Sequence, residues 1–159
     1  MDKDSFLVGQ PSRYDWSRLT HLQVGRYGEY LVKMEFTLFG FDVYTSEVDD
    51  KGIDFVIRKG EDSYYDVQVK SVRTLNYFYI TKEKFSPRGG LLLALVVLSE
   101  GKEPKIYLIP SMEWLQPDGV LVDRTYEGKK SAPEWGINLS TRNLLCLERF
   151  DFSQTVWKL

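Results

Sequence analysis

Residues 52–72 read GIDFVIRKGEDSYYDVQVKSV, two alternating runs separated by a short polar segment. The runs over 53–58 and 64–72 predict β-strands, and the polar residues 59–63 predict a turn between them. Alternation along 64–72 gives the second strand one apolar and one polar face. The stretch therefore predicts a β-hairpin, and the chemistry of the chain is sought on its polar face.

Three polar side chains gather on that face if the turn centres on Glu61. Asp54 then lies opposite Gln68, with their Cβ atoms about 5 Å apart. Lys70 is diagonal to Asp54 and shares a face with Gln68, because side chains repeat every two residues along a strand. A carboxylate, a carboxamide oxygen and an ammonium could hold a hard divalent cation and a water, provided that another acid completes the shell. The alternative is that this face is merely solvated.

A helix precedes the hairpin. Thr20 and Gln23 form a capping-box signature, and the apolar periodicity that follows continues until Gly40 ends the element. The stripe expected to face the core consists of Val24, Tyr27, Leu31, Met34 and Leu38.

Glu29 is the candidate for the missing acid. With Tyr27 at zero on the helical wheel it falls at about 200°, at the border of the apolar arc, from which a carboxylate can reach a neighbouring sheet. Gly25 and Gly28 would let the helix approach that sheet closely. Glu35 projects inside the apolar arc, and the alternatives for it are a second functional acid and, more plausibly, imperfect phasing of the helix. The alternative for Glu29 is an ordinary surface residue.

The remaining patterns complete one α/β domain. Residues 91–98 predict a buried central strand that pairs with 105–109. Further strands are predicted at 41–46, 77–81 and 120–122, and short helices at 111–115 and from Thr141 to about Arg149. Residues 1–18 predict an irregular lead-in.

The composition of the 159 residues restricts the chemistry. His21 is the single histidine and Cys146 the single cysteine, so a Cys/His zinc cluster, an intrachain disulfide and a histidine-pair nuclease are excluded, and a Cys–His protease dyad is disfavoured. Any metal must be bound by oxygen. Apolar neighbours predict that the Cys146 thiol is buried and reduced.

Charge and hydropathy give expectations about partners and compartment. The net charge is −2, from 21 basic and 23 acidic residues, which favours binding through a local basic patch over general coating of nucleic acid. The longest apolar run, 91–98, is far shorter than the roughly 18 residues of a membrane-spanning helix. Without a secretory signal pattern, we expect a cytoplasmic protein that does not enter membranes.

Four motifs together resemble the PD-(D/E)XK nuclease superfamily: GRYGEYLV at 25–32, GFDV at 40–43, GID at 52–54 and VQVKS at 67–71. The resemblance covers residues 20–73, and it is greatest to Holliday-junction-resolvase-like enzymes and intron-encoded homing endonucleases. It implies a restriction-endonuclease-like core, with a mixed central β-sheet flanked by helices. Residues 1–159 would form a single nuclease-like domain whose catalytic half is about 20–73.

The resemblance also implies a function, that of a Mg²⁺-dependent DNA endonuclease in which Mn²⁺ can substitute. Asp54, Gln68, the carbonyl of Val69 and Glu29 would hold the ion. Lys70 would orient or deprotonate a water and offset charge in the transition state, so the catalytic set is Glu29, Asp54, Gln68 and Lys70. The partner would be double-stranded DNA, and cutting both strands implies a homodimer or larger assembly.

Two positions depart from the family pattern. Ile53 replaces the proline before the aspartate, which is not a ligand, and Gln68 replaces the second carboxylate, which lowers the expected metal affinity. Glu29 or Asp66 could supply the missing charge, and related enzymes carry glutamine in this slot. The alternatives are a catalytically inactive module that binds DNA or protein and, more weakly, an RNA-processing nuclease.

Recognition is predicted by basic residues after the hairpin. Lys82, Lys84 and Arg88 are candidate DNA-phosphate contacts, and the preceding Tyr77 and Tyr79 could stack on bases. The alternative is a solvated loop. A second basic candidate comprises Arg124, Lys129 and Lys130, and the tryptophans at 114, 135 and 157 are expected in the core or a subunit interface.

Overall fold

The computed structural model describes residues 12–48 and 51–159 and contains two β-sheets. A five-stranded sheet has the order β1-β2-β3-β5-β6, and a three-stranded sheet has the order β4-β8-β7. The strands are β1 Asp42–Thr45, β2 Phe55–Lys59, β3 Ser63–Val72, β4 Tyr77–Thr81, β5 Leu91–Val97, β6 Lys105–Pro110, β7 Leu121–Arg124 and β8 Glu134–Asn138. The α-helices are α1 His21–Leu38, α2 Thr141–Leu147 and α3 Phe152–Thr155, and short 3-10 turns include Ser111–Leu115.

The hairpin forms in the predicted register. Phe55 lies opposite Val67 and Lys59 opposite Ser63 in the antiparallel β2–β3 pair. β3 and β5 run parallel, whereas the other pairs of this sheet are antiparallel. The predicted α/β class, with a mixed central β-sheet, is therefore confirmed.

Helices flank both faces of the central sheet. One face packs against α1 and α3 in a core that includes Phe36 and Phe152, and the other packs against the three-stranded sheet and α2. Covered on both faces, every residue of β5 is buried, as its continuous apolar run predicted.

The helix α1 begins as predicted but turns a different face to the core. Thr20 and Gln23 form both bonds of the capping box. The buried row is Val24, Gly28, Val32 and Phe36, an i, i+4 ridge, whereas Met34 and Leu38 are 59% and 77% exposed. The predicted stripe is therefore wrong at its C-terminal end, because it omitted the small residue on which the helix rests.

Gly28 is that contact. A Cβ at this position would lie 1.9 Å from the Ser71 hydroxyl of β3, so only glycine permits this approach of helix and sheet. The same expectation for Gly25 is wrong, since a Cβ there would meet nothing within 4 Å.

The expectation for Cys146 is wrong. Cys146 is exposed, because α2 turns Leu147 and the partly buried Leu144, three residues apart, towards the core and leaves Cys146 on its outer side. Trp114 and Trp135 are confirmed as core residues, whereas Trp157 is 67% exposed, so that its place in a subunit interface stays a prediction. Most of the predicted lead-in, residues 1–11, lies outside the described residues. Within the described part of the chain, no helix has the length and apolarity to cross a membrane.

Candidate active site

Asp54 lies where β2 leaves the hairpin ladder. Its backbone N–H donates to the Val67 carbonyl at 2.9 Å, and its carboxylate Oδ2 accepts from the Val69 N–H at 2.6 Å. A side-chain oxygen thus takes the place of a backbone acceptor and fixes the carboxylate against β3. The short distance is typical of a hydrogen bond to a charged acceptor.

Gln68 faces Asp54 across the hairpin and is buried, with 4% of its surface exposed. Its Oε1 is enclosed and has no hydrogen-bond donor among the described residues. A buried carbonyl oxygen without a partner costs about 1–3 kcal/mol, so such an atom requires an explanation. The solvated-face alternative is excluded at this position.

Gly52 lies close to both Gln68 and the backbone of Lys84. Gly52 has a φ of +71°, in the left-handed region, and a Cβ on it would lie 3.0 Å from the Lys84 carbonyl and 3.5 Å from Gln68 Nε2. Only glycine fits this turn between the two residues. Lys84 is thereby brought beside the hairpin, a position that no local sequence pattern predicts.

Lys70 follows Gln68 on the same face and lies opposite Leu95 of β5. The side chain is partly buried, and no carboxylate of the described residues lies within 4.0 Å of its ammonium. A partly buried ammonium without a carboxylate neighbour is available to an anionic group.

Two contacts of α1 bracket Glu29 above this end of the hairpin. Gly28, one residue before it, rests on Ser71, and Lys33, one turn later, holds its ammonium 5.4 Å from the centre of the Phe55 ring. Glu29 therefore lies at the level along β3 where Asp54 meets that strand. However, α1 packs on the face that carries Val67, Val69 and Ser71, whereas Gln68 and Lys70 lie on the opposite face, so the helix does not bring Glu29 together with them. Its carboxylate accepts from Arg26 at 3.2 Å, and its side chain is 25% exposed.

The oxygen donors fit a hard cation but carry little charge. In residues 12–48 and 51–159, no three His, Cys, Asp or Glu side chains form a group that could hold a metal ion. A site at the hairpin would combine the Asp54 carboxylate with neutral oxygens, of which the unpartnered Gln68 Oε1 is the best placed. Oxygen ligands of this kind suit Mg²⁺.

Asp66 is engaged elsewhere. Its carboxylate accepts from the Arg88 guanidinium at 2.6 Å, so it already has a partner and is less able to replace the carboxylate absent at Gln68. The backbone of Arg88 also forms two hydrogen bonds with the buried hydroxyl of Ser111, at 3.0 and 2.8 Å. Both the side chain and the backbone of Arg88 therefore have structural partners.

The three predicted phosphate contacts differ in whether their charge is already paired with a carboxylate. Arg88 is paired with Asp66. Lys82 pairs with Asp123, and its ammonium lies 3.9 Å from the Trp135 ring centre. Lys84, by contrast, is exposed and has no such pairing within the described chain. Of the three basic residues, Lys84 is thus both near the hairpin and available.

Glu35 belongs to a separate groove. An open cavity of about 510 Å³ lies between α1 and the β6–α3 region, with Glu35, Tyr27 and Asp151 among its walls. None of its lining residues comes from the β2–β3 hairpin.

Comparison with known proteins shows a likeness among solved structures. No family model and no curated protein matches the chain. Among solved structures, it is similar to Archaeoglobus fulgidus Hjc, a Holliday junction resolvase from an archaeal hyperthermophile, with 16% identity and a TM-score of 0.47. The match covers 72% of this chain and 83% of that chain.

Proposed function

We propose that this chain is a divalent-metal-dependent DNA endonuclease of the homing or resolvase-like type, which hydrolyses phosphodiester bonds at the β2–β3 hairpin. The observation that carries the proposal is the buried, unpartnered Oε1 of Gln68 opposite a carboxylate that is fixed in place. A polar atom left unsatisfied at this point is explained by a bound cation or its water.

Some of the site residues would bind the metal ion, and Lys70 would act on the attacking water. Asp54, Gln68 Oε1 and the Val69 carbonyl hold the ion, and Glu29 binds it directly or through water. When bound, Mg²⁺ or Mn²⁺ supplies a Lewis acid at the phosphoryl oxygen and lowers the pKa of a water. The ammonium of Lys70 orients that water and offsets the negative charge that develops on the phosphate.

The proposed substrate is double-stranded DNA. Lys84 is exposed beside Gly52, where it can contact a phosphate near the scissile bond. Contacts of this kind position the duplex and carry no sequence information, so the cognate site is read elsewhere.

We further propose a homo-oligomer, since cutting both strands requires two copies of a single site. α1 exposes four large apolar side chains at spacings of four or eight residues, which suits contact with a second copy. They are Leu22, Tyr30, Met34 and Leu38. Sedimentation should show a dimer or larger species that Met34→Glu weakens, and a monomer at all concentrations would overturn this part.

The decisive experiment is cleavage of plasmid and branched DNA with Mg²⁺ or Mn²⁺. Asp54→Asn retains an oxygen that can accept from Val69 while it removes the charge, so the variant should fold. Asp62→Asn, in the exposed hairpin turn, is the matched control. We expect cleavage to be lost with Asp54→Asn, with Asp54→Ala and with Lys70→Ala, and to persist with Asp62→Asn. Equal cleavage by Asp54→Asn and wild type would refute the site.

Metal binding provides a second readout that does not depend on turnover. Calorimetric titration with Mn²⁺ should give a binding isotherm for wild type that Asp54→Asn abolishes and Asp62→Asn preserves. An absent isotherm for wild type would contradict the proposed ligand set.

The second candidate function is a catalytically inactive module on the same fold. It is favoured by the neutral Gln68 in the slot of a carboxylate and by the lack of a three-acid group in the described residues. It predicts DNA association that is unchanged by EDTA. DNA binding that does not require metal, together with a Mn²⁺ titration that shows no binding heat, would favour the inactive module and contradict the nuclease.

A further inference from the structure

The outer face of the three-stranded sheet carries a second concave site. A cavity of about 410 Å³ opens there, at a distance in sequence from the hairpin. Its walls come from β4, from the end of β7, from β8 and from the loop between the last two. The lining residues are Tyr77, Tyr79, Thr81, Arg124, Tyr126, Ser131, Ala132 and Glu134.

Tyr77 forms the floor of this cavity. Its ring lies across Gly136 of β8, where a Cβ would come 2.1 Å from the phenol oxygen. The Tyr77 hydroxyl donates to Glu134 at 2.8 Å, and the Arg124 guanidinium lies 4.2 Å from the centre of the ring. The tyrosine is thus held flat between a backbone and a cation.

Glu134 lies under the cavity and accepts hydrogen bonds from two of its tyrosines. It is 6% exposed, and its Oε1 also accepts from the Tyr126 hydroxyl at 2.9 Å. Tyr126 has a φ of +51°, a strained conformation for a tyrosine, and this bond helps to hold it. Strain of this kind is retained where the surrounding structure over-determines it, often around a binding site.

Tyr79 presents the open surface. It is 54% exposed, and its ring is inclined by only 22° to that of Tyr77, with 6.2 Å between their centres. The loop between β7 and β8 carries two exposed lysines, Lys129 and Lys130, directly before the lining residue Ser131, and these two lysines are called the rim. An aromatic surface on a sheet combined with an arginine and a basic rim matches the chemistry of unpaired bases and their phosphates.

We propose that this face binds single-stranded nucleic acid, with an unpaired base stacked on Tyr79 and neighbouring phosphates at the lysines of the rim, while Arg124 stays paired with Glu134 and holds Tyr77 in place. The choice of nucleic acid rests on the proposed nuclease function. The face would hold an unpaired segment of the substrate apart from the cleavage site.

The test is fluorescence anisotropy of a labelled oligothymidylate in EDTA, at low salt. Tyr79→Ala should weaken binding about 5- to 150-fold, the range of one base–aromatic stack. Tyr79→Phe should retain binding because it keeps the ring. Tyr64→Ala is the matched control, since Tyr64 is also 54% exposed but lies on β3 of the other sheet. Circular dichroism checks that the variants fold.

A second measurement tests the binding of phosphates at the rim. Replacing Lys129 or Lys130 by glutamine should reduce the slope of log K against log salt by about 0.7 for each phosphate that the protein no longer neutralises. Equal oligonucleotide affinity of Tyr79→Ala and wild type, or an absence of binding to the wild type, would overturn the proposal.

The outcome is separate from that of the nuclease. The binding assay contains no metal and can be repeated with Asp54→Asn, so a chain that does not cut DNA can still show the stacking site. If the chain cuts DNA but Tyr79→Ala binds the oligonucleotide as well as wild type does, the single-strand binding site is refuted and the nuclease proposal is not.

Discussion

Replacing Gln68 by glutamate tests the candidate site without an activity assay. The substitution preserves the shape of a side chain that is 4% exposed and adds a negative charge opposite Asp54. In the absence of metal, the two carboxylates repel each other. If the charges are taken to be as far apart as the two Cβ atoms, about 5 Å, an effective dielectric constant of about 20 gives a repulsion of about 3 kcal/mol.

This repulsion gives the variant a characteristic pH dependence. Burial and the like charge raise the pKa of the introduced carboxyl above its ordinary value, by about 2 units from the repulsion alone. The unfolding free energy is therefore similar to that of wild type below about pH 4, where the group is protonated in both states. Relative to wild type it falls as the pH rises through the raised pKa of the folded state, and the deficit approaches about 3 kcal/mol near pH 8.

A divalent cation should reverse the loss. Mg²⁺ at 100 times its dissociation constant would restore about 2.7 kcal/mol. Urea unfolding of Gln68→Glu and wild type at pH 4.5 and pH 8, each with EDTA and with Mg²⁺, measures all of these effects. Gln154→Glu, on an exposed position of α3, is the control and should show neither effect. A deficit at pH 8 that Mg²⁺ leaves unchanged would refute the cation site, and no deficit at all would refute the enclosed geometry.

Three further predictions concern packing, titration and DNA affinity. Gly28→Ala should lower the unfolding free energy by about 1–3 kcal/mol, because the new methyl group would lie 1.9 Å from a serine hydroxyl of β3. Gly25→Ala should raise it by up to about 1 kcal/mol, because a Cβ there meets nothing within 4 Å. Denaturant melts that rank the two variants the other way would contradict the packing. Burial, together with a nearby carboxylate, raises the pKa of Tyr107 to about 12, so this phenol stabilises the fold fully below pH about 10 and loses that contribution as the pH rises through 12. Tyr107→Phe should therefore flatten the fall in stability above pH 10, and an unchanged slope would count against the assignment. Lys84→Gln should weaken duplex binding at low salt, whereas Lys82→Gln, which removes a side chain paired with Asp123, should lower mainly the stability. Filter binding measures the first effect and thermal melts the second. The reverse pattern would place the DNA interface on the three-stranded sheet.

The candidate site illustrates which features could be predicted from a single sequence. The turn at 59–63 and the alternation on either side specify the register, so the pairing of Asp54 with Gln68 follows from local patterns. The two-residue spacing of Gln68 and Lys70 likewise fixes their common face. Neither pattern contains information on what covers that face.

The three-stranded sheet could not be predicted in full for the same reason. The strand β8 is only five residues long, with Gly136 at its centre, and a glycine weakens the local signal for a strand. Its role is evident only when Tyr77 lies across that glycine and reaches Glu134.

The sequence by itself determined the elements whose cause is local: the capping box at Thr20, the hairpin register, and the buried strand β5. The tertiary structure alone decided which side of α1 is buried, through the contact of Gly28 with Ser71, and that Gln68 is enclosed while Cys146 is exposed. The physical reason is that periodicity along the chain records the direction of a side chain relative to its own element. Burial and electrostatic environment depend on the elements that pack against it from distant parts of the sequence.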